Sequence, residues 1–313
     1  VGRLPRDGKF LLVASTGGHL AQLNIIAELL GAGPDSHWVT FQNHQSRSLV
    51  GDRPHTYVEY IGPRQFRKTI KAIPDLSKVI RSRQWDAVIS TGAAIAVPAL
   101  GIGASMGLPA YYIESVSRLD GPSLTGKIMA KLPGVQTFTQ HQTWSSKRWP
   151  YELSVFDKFH PKVIDIRDKT LSETQPQRIF VTLGTIQPYR FDSLIDAVCA
   201  STVAKSADIT WQLGCSERPD LPGHPLRELS QADFAERSLE ADLVVTHAGV
   251  ATCLQLVAAG IHPIVVPRRM SRHEHVDDHQ QQIAKELARR KLCTYVEVDD
   301  LEGAIARALA AQR

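Results

Sequence analysis

Cysteine is scarce in this 313-residue chain: Cys199, Cys215, Cys253 and Cys293 all lie in the second half, and no two have the close spacing of a redox or zinc pair. They read as reduced core thiols, which excludes a disulfide-stapled scaffold. Long unbroken apolar runs are missing too. The longest candidate, Ala93 to Ile113, is interrupted by Pro98, Gly101, Gly103, Gly107 and Pro109, which suits a buried helix followed by a strand rather than a lipid-spanning helix. No secretory pattern opens the chain, since Val1 to Lys9 lead into the strand-sized run Phe10 to Ala14. These absences predict a cytoplasmic protein with no integral anchor. A charge excess is also absent: the net charge of +4 gives no reason to expect nucleic acid as a partner.

The composition, 43% hydrophobic and 22% charged, is that of an ordinary folded enzyme, and the length exceeds what one hydrophobic core usually fills, so two domains are expected. The charge is unevenly spread. Between Pro63 and Trp85 stand Arg64, Arg67, Lys68, Lys71, Lys78, Arg81 and Arg83 against a single acid, Asp75. Such a run suits either a solvated helix face or a contact with an anionic membrane through residues 63–85.

Hydrophobic periodicity alternates between strand and helix throughout, which predicts parallel sheets wrapped by helices. In the first half the strands are Phe10–Ala14, His37–Phe41, Ala87–Ser90 and Ala110–Ile113. A helix runs over Leu20–Leu30, another from about Arg64 to Arg83 with a break at Pro74, and a third near Val97–Ser105. From Trp149 to Gln177 the periodicity fades and prolines accumulate. A second, similar series then begins at Arg178 and ends in a helical stretch over Leu301–Gln312. The expected organisation is an N-terminal Rossmann-like domain over 1–155, a linker over 156–177 and a C-terminal Rossmann-like domain over 178–313. The last helix is free to pack on either domain, and a cleft is expected where the two face each other.

Three motif regions stand where strands end. Ser15-Thr16-Gly17-Gly18-His19-Leu20 joins a strand to a helix, so its glycines permit a sharp turn and free N–H groups at a helix start, with a histidine suited to proton abstraction near neutral pH. A glycine turn alone signals little. Val181-Thr182-Leu183-Gly184-Thr185 and Thr246-His247-Ala248-Gly249-Val250-Ala251-Thr252 repeat that design as candidate diphosphate contacts. The third region, His273 to Gln281, mixes histidines with acids. The run lies on a loop leading into a helix, so it does not present histidines at i, i+4 on one helical face, and polar recognition of a sugar fits it better than a metal. Neither glycine turn has the spacing of a dinucleotide fingerprint.

In this order, the segments STGGHL (Ser15 to Leu20), ISTGAAIAVPAL (Ile89 to Leu100), YIES (Tyr112 to Ser115), VTLGT (Val181 to Thr185), ADLVVTHAG (Ala241 to Gly249) and VVPRR…HEHVDDHQ (Val265 to Gln280) resemble the MurG-related GT-B glycosyltransferases. They resemble still more a single-chain joining of the two-subunit transferases of dolichol-linked N-glycan and bacterial exopolysaccharide synthesis. The resemblance implies an α/β chain of two Rossmann-like domains. The C-terminal one would bind a UDP-sugar, and the N-terminal one a saccharide or lipid-linked acceptor at the inner face of the membrane. It implies acceptor contacts from Thr16, Gly17, Gly18, Thr91 and Gly92. Donor contacts would come from Gly184, Thr185, His247, Gly249 and Thr252 to the diphosphate, from the backbone near Phe234 to uracil, and from His279 and Gln280 to the sugar. Gln255 stands where relatives often carry a ribose-binding glutamate, and it lacks the carboxylate's charge-assisted strength. His19 is the favoured base and Glu114 the second candidate. The implied reaction is an inverting displacement with no cofactor and no metal. A UDP-sugar 2-epimerase of the same plan, or a non-catalytic nucleotide-sugar-binding subunit, are the alternatives.

Overall fold

The computed structural model describes residues 3–62, 65–160, 177–185, 187–276 and 278–311. The chain divides into two compact units, Val1–Lys158 and Phe159–Arg313. Of the expected linker, residues 161–176 lie outside the described residues, as do Arg64, Asp277 and the end of the last expected helix.

The first unit runs β1 (Phe10–Ala14), α1 (Gly18–Leu29), β2 (His37–Phe41), α2 (His44–Val50), β3 (His55–Val58), α3 (Phe66–Lys71), α4 (Ile73–Arg81), β4 (Ala87–Gly92), α5 (Ala96–Ser105), β5 (Ala110–Ile113), α6 (Leu124–Met129) and β6 (Val135–Phe138). Its strands form one parallel sheet in the order β3-β2-β1-β4-β5-β6. Parallel neighbours require crossovers, and helices on both faces leave β1 and β4 buried at every position. That is why both read as continuous apolar or small-residue runs. Helix α5, apolar almost all round, packs so closely on β4 that a Cβ at Gly103 would stand 2.9 Å from Val88 Cγ2.

The second unit runs β7 (Arg178–Thr182), α7 (Asp192–Ala200), β8 (Asp208–Gln212), β9 (His224–Leu226), α8 (Gln231–Glu240), β10 (Leu243–His247), α9 (Val250–Ala258), β11 (Ile264–Val266), α10 (His279–Arg289), β12 (Thr294–Tyr295) and α11 (Leu301–Ala310). The order β12-β11-β10-β7-β8-β9, read from its other end, repeats the order of the first sheet. Both units therefore have the Rossmann-like plan expected of them. Helix α11 packs within the second unit: Leu301, Ala304, Ile305 and Leu309 share one core with Ile195, Val245 and Ile264.

Two expectations need correction. The helix break falls at Ala72 rather than Pro74, which sits in the first turn of α4, where its missing N–H leaves no helical bond unmade. The elements α2, β3, α6, β6 and β9 were not expected. For α2 a signal existed: the Asn43 side chain accepts from the Ser46 N–H at 2.8 Å while Ser46 Oγ accepts from the Asn43 N–H at 2.9 Å, a reciprocal cap. No described helix is long and apolar enough to cross a membrane. All four cysteines are free thiols, with Cys253 and Cys293 buried and burial holding both thiols well above their usual pKa.

Candidate functional site

In each sheet the chain first builds outward on one side, β1 to β3 and β7 to β9, and then returns to start on the other side at β4 and β10. The turns that follow β1 and β4, and those that follow β7 and β10, therefore diverge and leave room above the strand ends, the usual ligand position in such sheets. All the motif regions read from the sequence lie at or close to these two switch points.

In the second unit, the turns after β7 and β10 meet on His247, the last residue of β10. A Cβ at Gly184 would come within 2.4 Å of His247 Nε2, and one at Gly249 within 2.2 Å, so both turns need glycine to admit the ring. Gly184 also has φ +74°, a backbone state that favours glycine. Burial, with the Arg268 charge second, pushes the His247 pKa down to about 3, so the imidazole is neutral. The Thr182 carbonyl offsets a smaller part of that shift without forming a full hydrogen bond, since Nδ1 is buried and unpaired. With its proton on Nε2 the ring can donate to a ligand.

Helix α9 starts at Gly249 with no side-chain cap, so its first N–H groups keep their partial positive charge unquenched. Thr252 and Gln255, three residues apart and both half-buried, share a face of this helix. Thr185 is exposed just beyond Gly184. Gly184, Thr185, His247, Gly249 and Thr252 are thus brought to one switch point.

The other expected donor residues are engaged in contacts of their own. The Phe234 ring is packed in a core with Phe180, Val244 and Leu256, its centroid 5.4 Å from that of Phe180. Its N–H donates to the Ser230 carbonyl at 2.9 Å and its carbonyl accepts from Ser238 Oγ at 2.6 Å. The Phe234 N–H and carbonyl are thus bonded within α8 and its ring lies in the core. Gln280 is buried, and its Oε1 accepts from the Arg268 N–H at 3.1 Å, so at least this end of the amide braces protein rather than sugar. His279 opens α10, half-buried, with Nδ1 3.3 Å from Gln282 Oε1.

In the first unit the same switch point is held by a different contact. His19, in the first turn of α1, places Nδ1 2.6 Å from the Thr91 carbonyl, and Thr91 Oγ1 donates back to the His19 carbonyl at 2.8 Å. A carbonyl accepts only, so Nδ1 bears the proton and Nε2 keeps its lone pair. Burial, against the Thr91 hydrogen bond and with help from the Arg118 charge, lowers the His19 pKa, so the ring is a neutral base at pH 7. Gly92, at φ +110°, is needed here because a Cβ would stand 2.9 Å from His19 Cε1.

The N–H groups of the first glycine turn are not all free, contrary to expectation. The Gln45 carboxamide pairs with Gly17 as a peptide group would, accepting from its N–H at 2.5 Å and donating to its carbonyl at 3.0 Å. Gly17 has φ +86°, and Thr16 and Gly18 beside it are half-buried. Gln45 was not singled out from the sequence because its partner lies 28 residues away.

Glu114 is fully buried and its carboxylate is surrounded by donors. Oε1 accepts from the Tyr112 hydroxyl at 3.2 Å and the Ser115 N–H at 3.0 Å, and Oε2 from the Ser123 N–H at 2.9 Å and hydroxyl at 3.0 Å. Burial raises its pKa, but all its lone pairs point into these bonds, and the group anchors the 115–123 loop. Gln22 and Gln140 continue the network, with Gln140 Nε2 donating to the Glu114 carbonyl at 2.9 Å and to Gln22 Oε1 at 3.0 Å. Of the two candidate bases, only His19 keeps a free basic atom.

Among the described residues no three His, Cys, Asp or Glu side chains converge as metal ligands. The His273–Gln281 run spreads instead over a short turn and the start of α10, with Glu274 turned inward to accept from the Arg269 N–H at 3.0 Å.

Comparisons with known proteins agree with this geometry. Residues 179–312 match the glycosyltransferase family 28 C-terminal domain. The chain is 25% identical over 294 residues to the UDP-N-acetylglucosamine--N-acetylmuramyl-(pentapeptide) pyrophosphoryl-undecaprenol N-acetylglucosamine transferase of Synechococcus sp. (strain WH7803), covering 86% of this chain and 78% of that protein. Among solved structures, MurG of Acinetobacter baumannii superposes with a TM-score of 0.59 at 19% identity, over 97% of this chain and 92% of that one. UDP-GlcNAc 2-epimerase from Methanocaldococcus jannaschii gives a TM-score of 0.60 at 12% identity, over 96% and 92%.

Proposed function

We propose that this chain, a MurG-like glycosyltransferase of the GT-B fold, transfers a sugar from a UDP-sugar to a hydroxyl of a lipid-linked saccharide, with inversion at the anomeric carbon. The observation that carries this reading is the convergence of Gly184, His247 and Gly249 at the uncapped start of α9. A neutral imidazole and a helix N-terminus together favour a diphosphate, and the Thr252 hydroxyl adds a donor. The relatives named above use UDP-N-acetylglucosamine, which is therefore the first donor to test.

The acceptor oxygen attacks the anomeric carbon while its proton passes to His19 Nε2. The bond from that carbon to the β-phosphate oxygen breaks, and its electron pair leaves with UDP. The hydrogen bond from Nδ1 to Thr91 stabilises the imidazolium that results. Negative charge grows on the diphosphate, where the α9 N–H groups and His247 stabilise it without calling on a metal ion. Activity that vanished with chelator and returned with a divalent cation would overturn that last step. Glu114 keeps the 115–123 loop in place rather than moving the proton.

The lipid-linked acceptor is supported by the surface of α3 and α4. Ile70 and Ile73 are exposed beside Arg67, Lys71, Lys78 and Arg81, while Leu76 and Ile80 hold the opposite face in the core. An apolar pair ringed by cations suits an anionic bilayer surface. Sedimentation with anionic vesicles should weaken on charge reversal at Lys71 and Lys78, and indifference to both changes would remove the membrane from this account.

The test is product analysis with UDP-N-acetylglucosamine, with and without a polyprenyl-diphosphate saccharide. A β-linked product formed only with acceptor is expected from an α-linked donor. An altered sugar nucleotide formed without acceptor would favour the epimerase reading, and binding without turnover a non-catalytic subunit.

A further inference from the structure

Arg268 follows β11 and Pro267 and is fully buried. Its Nη1 donates to the carbonyls of Tyr189 at 2.7 Å, Arg190 at 3.1 Å and Glu274 at 3.1 Å, and its Nη2 to that of Leu183 at 2.6 Å. The guanidinium carbon lies 4.9 Å from the centre of the Phe191 ring, and Nε is buried with no partner. No carboxylate of the described residues forms an ion pair with it. The nearby Glu274 carboxylate is taken by Ser193 Oγ and the Arg269 N–H instead.

A buried cation whose hydrogen bonds all go to carbonyls, with the Glu274 and Asp192 carboxylates near but not in contact, is costly, and such charges are ordinarily paired directly. The position of this one explains why it is kept. Leu183 immediately precedes Gly184, the residue against which the His247 ring is packed. The Arg268 N–H meanwhile holds Gln280 at the start of α10. One side chain thus ties the turn after β7, the 189–190 loop and the approach to α10 to a common centre. Its charge is felt by His247, whose pKa it helps to lower.

We propose that Arg268 is a positioning residue for the donor diphosphate: its guanidinium sets the Leu183–Gly184 turn and supplies a fixed positive charge, held out of direct contact with any carboxylate of the described residues, that favours the departing UDP over the bound UDP-sugar. The proposal rests on the donor reading above. Free UDP carries one more negative charge than a UDP-sugar, the charge that develops as the glycosidic bond breaks. A fixed cation therefore stabilises the transition state more than the ground state.

The test is calorimetric titration of uridine, UDP and UDP-N-acetylglucosamine into wild type, Arg268→Gln and Arg268→Lys, with steady-state kinetics alongside. Arg268→Gln keeps a donor but loses the charge. It should weaken UDP about tenfold, UDP-N-acetylglucosamine less and uridine hardly at all, with kcat falling more than KM rises. Arg268→Lys should restore most of the preference of UDP over uridine. An equal loss for all three ligands in both variants would reduce Arg268 to a fold brace and overturn the proposal, as would UDP binding unchanged in Arg268→Gln. Wild type that binds uridine and UDP-N-acetylglucosamine but shows no preference for UDP defeats the Arg268 proposal alone. Wild type that binds none of the three defeats the donor reading and this proposal with it.

Discussion

His19 and His247 stand at the same switch point of the same sheet plan, one in each unit, but approach it from opposite sides. His19 lies on the helix after the first strand and leans on the carbonyl that ends the fourth, Thr91. His247 ends the fourth strand of its sheet and is packed against the glycine turn after the first, Gly184. Burial keeps both rings neutral. What separates them is the partner of Nδ1. A carbonyl at His19 fixes the tautomer and leaves Nε2 with its lone pair, whereas Nδ1 of His247 is buried with no such partner. The base and the donor proposed above thus differ in the surroundings of a single ring nitrogen.

The largest effect that would break this contrast is on turnover. His19→Ala should lower kcat by roughly 10²–10⁴, the usual worth of a general base, with donor KM little changed. Steady-state assays with acceptor check this, and a loss below tenfold would remove His19 from the base role. Since the His19 pKa is lowered, the acid limb of the wild-type rate profile should lie below pH 6.5. A limb above that value would mean that another group is titrating.

Gly249→Ala should come next. Its Cβ would collide with the His247 ring, so UDP binding should weaken by at least tenfold while thermal stability of the first unit is untouched. Gly17→Ala gives the matched control. It has φ +86° but no atom within 4 Å of the added Cβ, so backbone strain alone is expected, on the order of 1–3 kcal/mol. Calorimetry and thermal melts on both variants separate collision from strain.

The smallest effect is on stability against pH. His247 has a folded-state pKa of about 3, below its unfolded value near 6.5. Its contribution is therefore fully present above pH 6.5 and declines as pH falls toward 3, by about 5 kcal/mol if the whole window is crossed. Urea midpoints of wild type should fall more steeply between pH 6.5 and 4 than those of His247→Asn. Parallel slopes would contradict a buried neutral ring.

The strand, glycine and helix sequences that build both switch points were legible because each is local: a short, mainly apolar run, a turn that needs glycine, then helical periodicity. Which turn meets which was not. The Gly184 and His247 contact depends on the return of the chain across the sheet, and the Arg268 bond to Leu183 joins residues 85 apart. Nothing in VVPRR distinguishes the buried Arg268 from the half-exposed Arg269, which pairs with Glu297 at 2.8 Å. At Glu114 and Phe234 the sequence left the surroundings of the side chain open, for a shared reason. Each has the right residue type beside a motif, but an acid at a strand end or an aromatic on a helix can as well turn inward, and only the donors around the first and the core around the second reveal that it does.

The division of labour between the two histidine sites is tested most directly by titrating UDP into wild type, His19→Ala and Thr252→Ala without added metal. The account predicts that His19→Ala binds UDP as wild type does and that Thr252→Ala binds it more weakly. UDP affinity lost in His19→Ala but retained in Thr252→Ala would contradict it.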